Sequence, residues 1–504
     1  MAHVGEKDNS LVNSGVWWDG FPATALLFFS VFIGLMWWTR RHKYLPPGPF
    51  FPLRLLSNTN NRKRYLIFIK YGQEYGPIYS LRFGNSLTVV LNNISLAKEA
   101  LVEKAEVFSE RFVTKAVQIG SRGLKGSILM GNGDDYKELR RFGAYALRSF
   151  GVGKRSLGSK INEETSHLVE AIHKEENKPF DPVHVISNAV SNIICSISFG
   201  DRFDYDNVKF QQLLEVLRTL TTDAPLLNFP VLICPYLMYF PPFSKQIHRN
   251  EVVKNFINDV VEKHHATLDA NDVRDIIDMF LIEADQRKGE TGPDNVYDSS
   301  SLWRTIFDLF GAGSDTTANS ILWAIAIFCH YPDTQEKVYE EIKAVLGTEK
   351  LPVYEDRHRL PYTQALLLEV QRFRPVAPIV PHLCNRDATL GGYHIPKGTR
   401  VLINLWSIHH DPEEWKDPEL FLPERFLDSD QKVISPDSLV PFSLGRRVCL
   451  GETLAKMELF LFLTSLVQRF RFYVPDGMEL PSLDGVSGIT LSPEPYEVCA
   501  EPRN

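Results

Sequence analysis

The sequence predicts a mainly helical protein with a smaller β portion, an α+β chain, preceded by one N-terminal membrane-spanning helix. Three observations carry this. Long amphipathic stretches broken by glycine or proline run from Leu96 to about Lys343, and "PIYSLRFGNSLTVVLNN" alternates on both sides of Gly84-Asn85 as a β-hairpin does. The last third mixes helix with short strands such as "GGYHIPKGTRVLINL". The chain has 504 residues, which as a length prior suggests about three domains. No low-complexity linker divides it after about residue 60, so one body over 53–504 is expected.

The N-terminal elements come first. "FPATALLFFSVFIGLMWW" (Phe21 to Trp38) is uncharged and apolar. As a helix it would span roughly 27 Å, close to a bilayer's hydrocarbon thickness. Trp17, Trp18, Trp37 and Trp38 suit the interfacial belts, and Arg40, Arg41 and Lys43 follow on the expected cytosolic side. The charges follow the apolar run and no small-residue cleavage site is evident, which favours a retained anchor over a signal peptide. The chain then divides into a short lumenal 1–20, an anchor at 21–38, a basic and proline-rich hinge at 39–52, and a cytosolic body. In that topology the single sequon, Asn93-Ile94-Ser95, carries no glycan. Farther on, "NFPVLICPYLMYFPPF" (Asn228 to Phe243) reads as a core loop or as a second membrane-contacting surface, the latter favoured.

Composition excludes some functions. The net charge is −7 and no basic block outweighs it, which argues against nucleic-acid binding. Six scattered cysteines with no CxxC pair suit a reducing compartment, where one thiol can be reserved for chemistry.

The thiol singled out is Cys449, in "PFSLGRRVCLGE". A helical pattern begins two residues later, and a helix N-terminus offers free N–H groups and partial positive charge that favour a thiolate. Gly445 and Gly451 let the backbone turn closely, Phe442 is placed to screen the sulfur, and Arg447 to meet an anionic cofactor substituent. Taken alone, a buried capping cysteine is an equal reading.

Cys449 does not stand alone. "LFGAGSDTTANS" interrupts an apolar helix expected from about Ser301 to His330; glycine there costs about 1 kcal/mol per residue, so something should need the space. Asp315 and Thr316 share one turn, fit either for proton relay or for a solvated face with the hydroxyl bonded back to the helix. Glu369 and Arg372 lie on one helix face, and Arg425 is the candidate to join them in a structural trio.

Together these motifs resemble the cytochrome P-450 superfamily. Phe442 to Gly451 matches its haem-binding signature, Phe-x-x-Gly-x-Arg-x-Cys-x-Gly, at every fixed position. "AGSDTT" looks like its oxygen-activating helix motif; Glu369-x-x-Arg372 and "PERF" look like its Glu-Arg-Arg lock. The four stand in order over about 140 residues, and "PPGP", "FGDRF" and "GITLSPEPYEVC" resemble animal microsomal members of the family-2 type.

The resemblance implies the P-450 fold and haem b, with Cys449 as axial iron ligand. It implies that Arg447, Arg140, Tyr136 (where the family usually has Trp) and His382 hold the propionates, and that Asp315 and Thr316 deliver protons beside a helix kinked between Ala312 and Thr316. Ile128, Ala312, Val376, Ile379 and Ile489 fall in segments that line the family's substrate pocket, although such aliphatics are also ordinary core. Implied, too, is an endoplasmic-reticulum monooxygenase acting on a fatty acid, steroid or xenobiotic. Its electrons would come from NADPH through a flavoprotein reductase, with cytochrome b5 as an accessory. Arg446, Arg447 and Lys456 are candidates for the docking patch. Alternatives with the same haem are a hydroperoxide isomerase or dehydratase and a non-enzymatic sensor.

Overall fold

The computed structural model describes residues 27–32, 44–49, 52, 54, 63, 65–83, 86–222, 231, 234–287 and 296–503. Most of the expected anchor lies outside these. Residues 27–32 are helical with exposed side chains, and among the described residues no helix is long and apolar enough to cross a membrane. Of the proline-rich hinge, residues 44–49 are strapped onto the body: Ser80 N–H donates to Pro47 O at 2.7 Å, and a Cβ on Gly48 would stand 1.9 Å from Ser80 O.

Helices dominate. The principal ones are α1 (Tyr65–Tyr75), α2 (Gly133–Ser149), α3 (Arg155–His173), α4 (Val183–Ser198), α5 (Val208–Thr222), α6 (Lys245–Thr267), α7 (Ile276–Gln286), α8 (Ser299–His330), α9 (Pro332–Leu346), α10 (Pro361–Phe373) and α11 (Glu452–Arg469). Their ends follow local chemistry. Asp298 caps α8 by accepting from Ser301 N–H at 2.7 Å, proline opens α9 and α10, and Gly347 closes α9 at φ +78°.

The expected hairpin forms from β1 (Ile78–Phe83) and β2 (Ser86–Leu91). It belongs to a four-stranded sheet in the order β1-β2-β4-β3, where β3 is Ile379–Leu383 and β4 is Arg400–Asn404. β2 runs parallel to β4 with Thr88 opposite Arg400; β3 runs antiparallel to β4 with His382 opposite Val401. The sheet packs beside the helical body, and a two-stranded ladder, β5 (Val486–Ser487) with β6 (Leu491–Ser492), lies near the C-terminus.

α8 is the central element. Its stretch from Ile321 to Phe328 is buried on every side, at 2% exposure or less, as expected of a helix wrapped by others. The sequence suggested an interruption near Ala312; α8 is instead continuous from Ser299 to His330. The glycine requirement there is interhelical: a Cβ on Gly313 would lie 3.2 Å from Ile194 of α4, so the small residue admits the neighbouring helix.

Candidate active site

The loop before α11 is built to present one sulfur. Gly445 sits at φ +71°, and a Cβ there would lie 1.9 Å from Leu101 O, so only glycine fits. The loop closes where Cys449 N–H donates to Phe442 O at 3.0 Å, and Gly451 then caps α11. Gly451 itself is not sterically demanded, since its φ is −94° and no protein atom would meet an added Cβ within 4 Å. Phe442 carries the Lys456 ammonium 5.4 Å from its ring centre.

Cys449 is accessible although protein surrounds its sulfur. Burial pushes its pKa up, Glu452 adds to that, and the Gly451 N–H and the Arg140 charge oppose it. A cation bound at the sulfur would favour the thiolate, with loss of the proton on binding.

Beside the sulfur lies a knot of positive charge. Arg447 is 6% exposed; it donates to Ser109 O at 2.8 Å, Gly131 O at 2.7 Å and Asn132 Oδ1 at 3.0 Å, while its Nη1 is buried without a partner. Its guanidinium lies 3.2 Å from the centre of the Tyr136 ring, whose hydroxyl donates to Arg446 O at 3.3 Å. Arg140 donates to Val448 O. Arg111, not anticipated from the sequence, completes the knot by donating to Pro381 O at 2.8 Å and meeting His382 Nε2 at 3.2 Å. His382 Nδ1–H donates to Phe108 O at 2.8 Å, leaving Nε2 to accept from Arg111.

Burial, followed by the neighbouring guanidiniums, pushes Arg111 down to about 10, and burial holds Arg447 at about 10. Burial and Arg111 drive His382 well below the usual imidazole range, so it is neutral. Three neighbouring guanidiniums, one with an orphaned buried N–H, are costly unless an anion joins them. The residues therefore fit a group that carries both a thiophilic metal and carboxylates, as an iron porphyrin does.

On α8, Ala312 is exposed and Thr316 donates back to Ala312 O at 2.8 Å. Asp315 has further partners of its own. It accepts from Thr490 Oγ1 at 2.6 Å, is also hydrogen-bonded to Asn319 and Thr221, and borders a cavity of about 90 Å³. Burial raises its pKa, and those bonds and Arg218 oppose the rise.

The aliphatic candidates stand on separate segments of the chain. Ile128 is core, its Cδ1 packed over Gly143 next to Leu450. Val376 O accepts from Leu491 N–H at 2.7 Å, Ile379 lies on β3, and Ile489 is 48% exposed. Glu369, Arg372 and Arg425 do meet: Arg372 forks onto Glu369, and Arg425 Nε reaches Glu369 Oε1 at 3.2 Å.

A cysteine just ahead of a helix N-terminus and beside a knot of arginines is the arrangement of a haem-thiolate oxidoreductase. The chain belongs to the cytochrome P450 family, whose model matches residues 44–500. It is 39% identical to cytochrome P450 2U1 of Mus musculus over 95% of each chain. It is 37% identical to Homo sapiens cytochrome P450 2U1 over 96% of this chain and 94% of the relative, and 40% identical to Homo sapiens cytochrome P450 2J2 over 92% of each. The enzyme is a monooxygenase whose cofactor is haem b, and its activity depends on NADPH electrons supplied through a reductase.

Proposed function

We propose that this monooxygenase is a single-pass protein of the endoplasmic reticulum with a cytosolic catalytic body. It places one oxygen atom from O2 into a lipophilic fatty acid, steroid or xenobiotic and yields the other as water. Bound haem supplies the oxygen activation, and the protein supplies ligand, pocket and protons. Cys449 holds the iron; Arg447, Arg140 and Arg111 neutralise the propionates, with His382 fixing Arg111. Tyr136 acts through Arg447, since its ring supports that guanidinium and its hydroxyl is committed to Arg446 O. Thr316 holds a proton on the face it shares with Ala312, and Asp315 feeds it. Arg446 and Lys456, on the cysteine side, receive the reductase, with cytochrome b5 as a second donor.

The membrane reading is supported by the apolar Phe21 to Trp38 run and by an aromatic patch in which Tyr236, Tyr239 and Phe240 are each 60–63% exposed. Met238, fully buried next to Gly120, fastens that patch to the body. A cytosolic Asn93 also agrees with its side chain accepting from Leu96 N–H at 3.1 Å.

The observation that carries the function is Cys449 set just before α11 near Arg447, a buried arginine with one N–H group left without a partner. The test is oxidation of a lipophilic substrate library with reductase and NADPH. Turnover that needs both supports the reading. NADPH-independent rearrangement of hydroperoxides, or haem binding with no turnover, overturns it.

A further inference from the structure

Arg304 stands near the start of α8 at 4% exposure, and its charge is poorly answered. Its Nε is 3.5 Å from Asp308 Oδ1, beyond a good hydrogen bond, and both Nε and Nη1 are buried with no acceptor. Asp308 is committed elsewhere: its Oδ2 accepts from the Ser127 hydroxyl at 2.6 Å and from Leu129 N–H at 2.9 Å. The guanidinium otherwise lies over aromatic rings, 4.9 Å from the centre of Phe307 and 5.5 Å from that of Trp303. Lys254 of α6 stands 5.5 Å from the same Trp303 ring, so two cations share the neighbourhood of one carboxylate. A buried guanidinium keeps such unmet donors at a cost that a bound anion removes.

Its place on α8 says which kind of anion. Spacings of three and four residues put Arg304, Phe307, Asp308, Gly311 and Ala312 on one side of the helix. Phe307 and Asp308, which the guanidinium approaches, are C-terminal to it, so the charge is turned along α8 towards Ala312. On that side Phe307 and Gly311 are half-buried, Ala312 is exposed, and a Cβ on Gly311 would meet only Leu217, at 3.8 Å. The surface thus changes from cationic to apolar in the direction of Thr316. From Asp308 to Thr316 the axial rise is about 12 Å. A ligand that matches has an anionic head and a long apolar body.

We propose that Arg304 is a specificity-determining residue that takes the carboxylate of a long-chain acid, whose tail runs along α8 past Gly311 and Ala312. This rests on the monooxygenase reading and selects, among lipophilic substrates, those that carry an acid group. The planar guanidinium can give two parallel N–H bonds to one carboxylate. Because the head is held about 12 Å from Thr316, oxidation falls in the distal part of the chain and not beside the carboxyl carbon. Arg304 orients the substrate and takes no part in bond making.

The test uses the full-length, haem-loaded protein, with hexadecanoic acid and its methyl ester as probes. Binding is read by titrating the Soret band, which needs no reductase. The wild type should bind the acid more tightly than the ester by a factor on the order of ten. Arg304→Gln should weaken binding of the acid by about that factor, leave the ester unchanged and so erase the preference. In turnover the variant should spread oxidation along the chain. A wild type with no preference for the acid, or a preference undiminished in Arg304→Gln, overturns the proposal. If Arg304→Gln does not load haem, Arg304→Lys decides, because it keeps the charge and loses the planar fork. The preference should then fall, and an unchanged one overturns the proposal. An acid preference without NADPH-dependent product would instead sink the monooxygenase reading and leave the anion site standing.

Discussion

Arg372 forks onto Glu369 through two hydrogen bonds, Nε to Oε2 at 2.7 Å and Nη2 to Oε1 at 2.8 Å, and both side chains are wholly buried. The rest of the guanidinium donates to His409 O, Pro418 O and Leu420 O, while Glu369 Oε1 also accepts from Leu422 N–H. A helix-borne ion pair thereby pins the backbone of 409–422, which lies between β4 and the Cys449 loop. A planar fork is needed for this, so Arg372→Lys is not conservative. Breaking such a pair leaves a buried charge and costs about 3–5 kcal/mol. Denaturant titration of Arg372→Lys and Glu369→Gln should show losses of that order, with poor haem retention.

A second prediction concerns pH. His264 Nε2 stands 2.6 Å from Asp275 Oδ2, and its Nδ1–H donates to Val260 O. The Asp275 bond raises the His264 pKa above 6.5 despite opposing burial, with Val260 O and Asp278 assisting. Because the folded value is raised, the stabilisation is fully present below the unfolded pKa and is lost as pH climbs through the folded one. Denaturation midpoints should therefore fall as pH rises from about 6 towards 9, and His264→Asn should flatten that slope.

Two glycines of the cysteine loop should behave oppositely. Gly445→Ala introduces a Cβ at φ +71° against Leu101 O, a positive-φ cost of about 1 kcal/mol before the overlap is counted. Gly451→Ala meets no protein atom within 4 Å. Thermal melts of the haem-free chains should show a marked loss for the first and about none for the second.

Thr316→Ala removes the hydroxyl that bonds Ala312 O but leaves the helix intact. NADPH oxidation should continue while product falls and hydrogen peroxide accumulates. Quantifying peroxide per NADPH checks this, and unchanged coupling places the proton path elsewhere.

The parts of the site carried by adjacent residues were legible in the sequence. Cys449 with its helix and Glu369 with Arg372 each sit within a few positions, where helical geometry fixes who can meet. What stayed hidden depends on distant chain segments. Arg111 joins the arginine knot only because Ser109 O and Arg447 converge across 338 residues. No local pattern marks it. Gly313 looked like a break in α8 because Ile194, which needs the space, belongs to another helix. The parallel pairing of β2 with β4 is likewise set by the packed body, not by either strand.

The most direct measurement is the reduced-CO difference spectrum of the purified, haem-loaded chain beside Cys449→Ser. A thiolate-type Soret band in the wild type that vanishes in the variant is the predicted result. The same band in both, or a wild type whose iron is held by nitrogen, would contradict it.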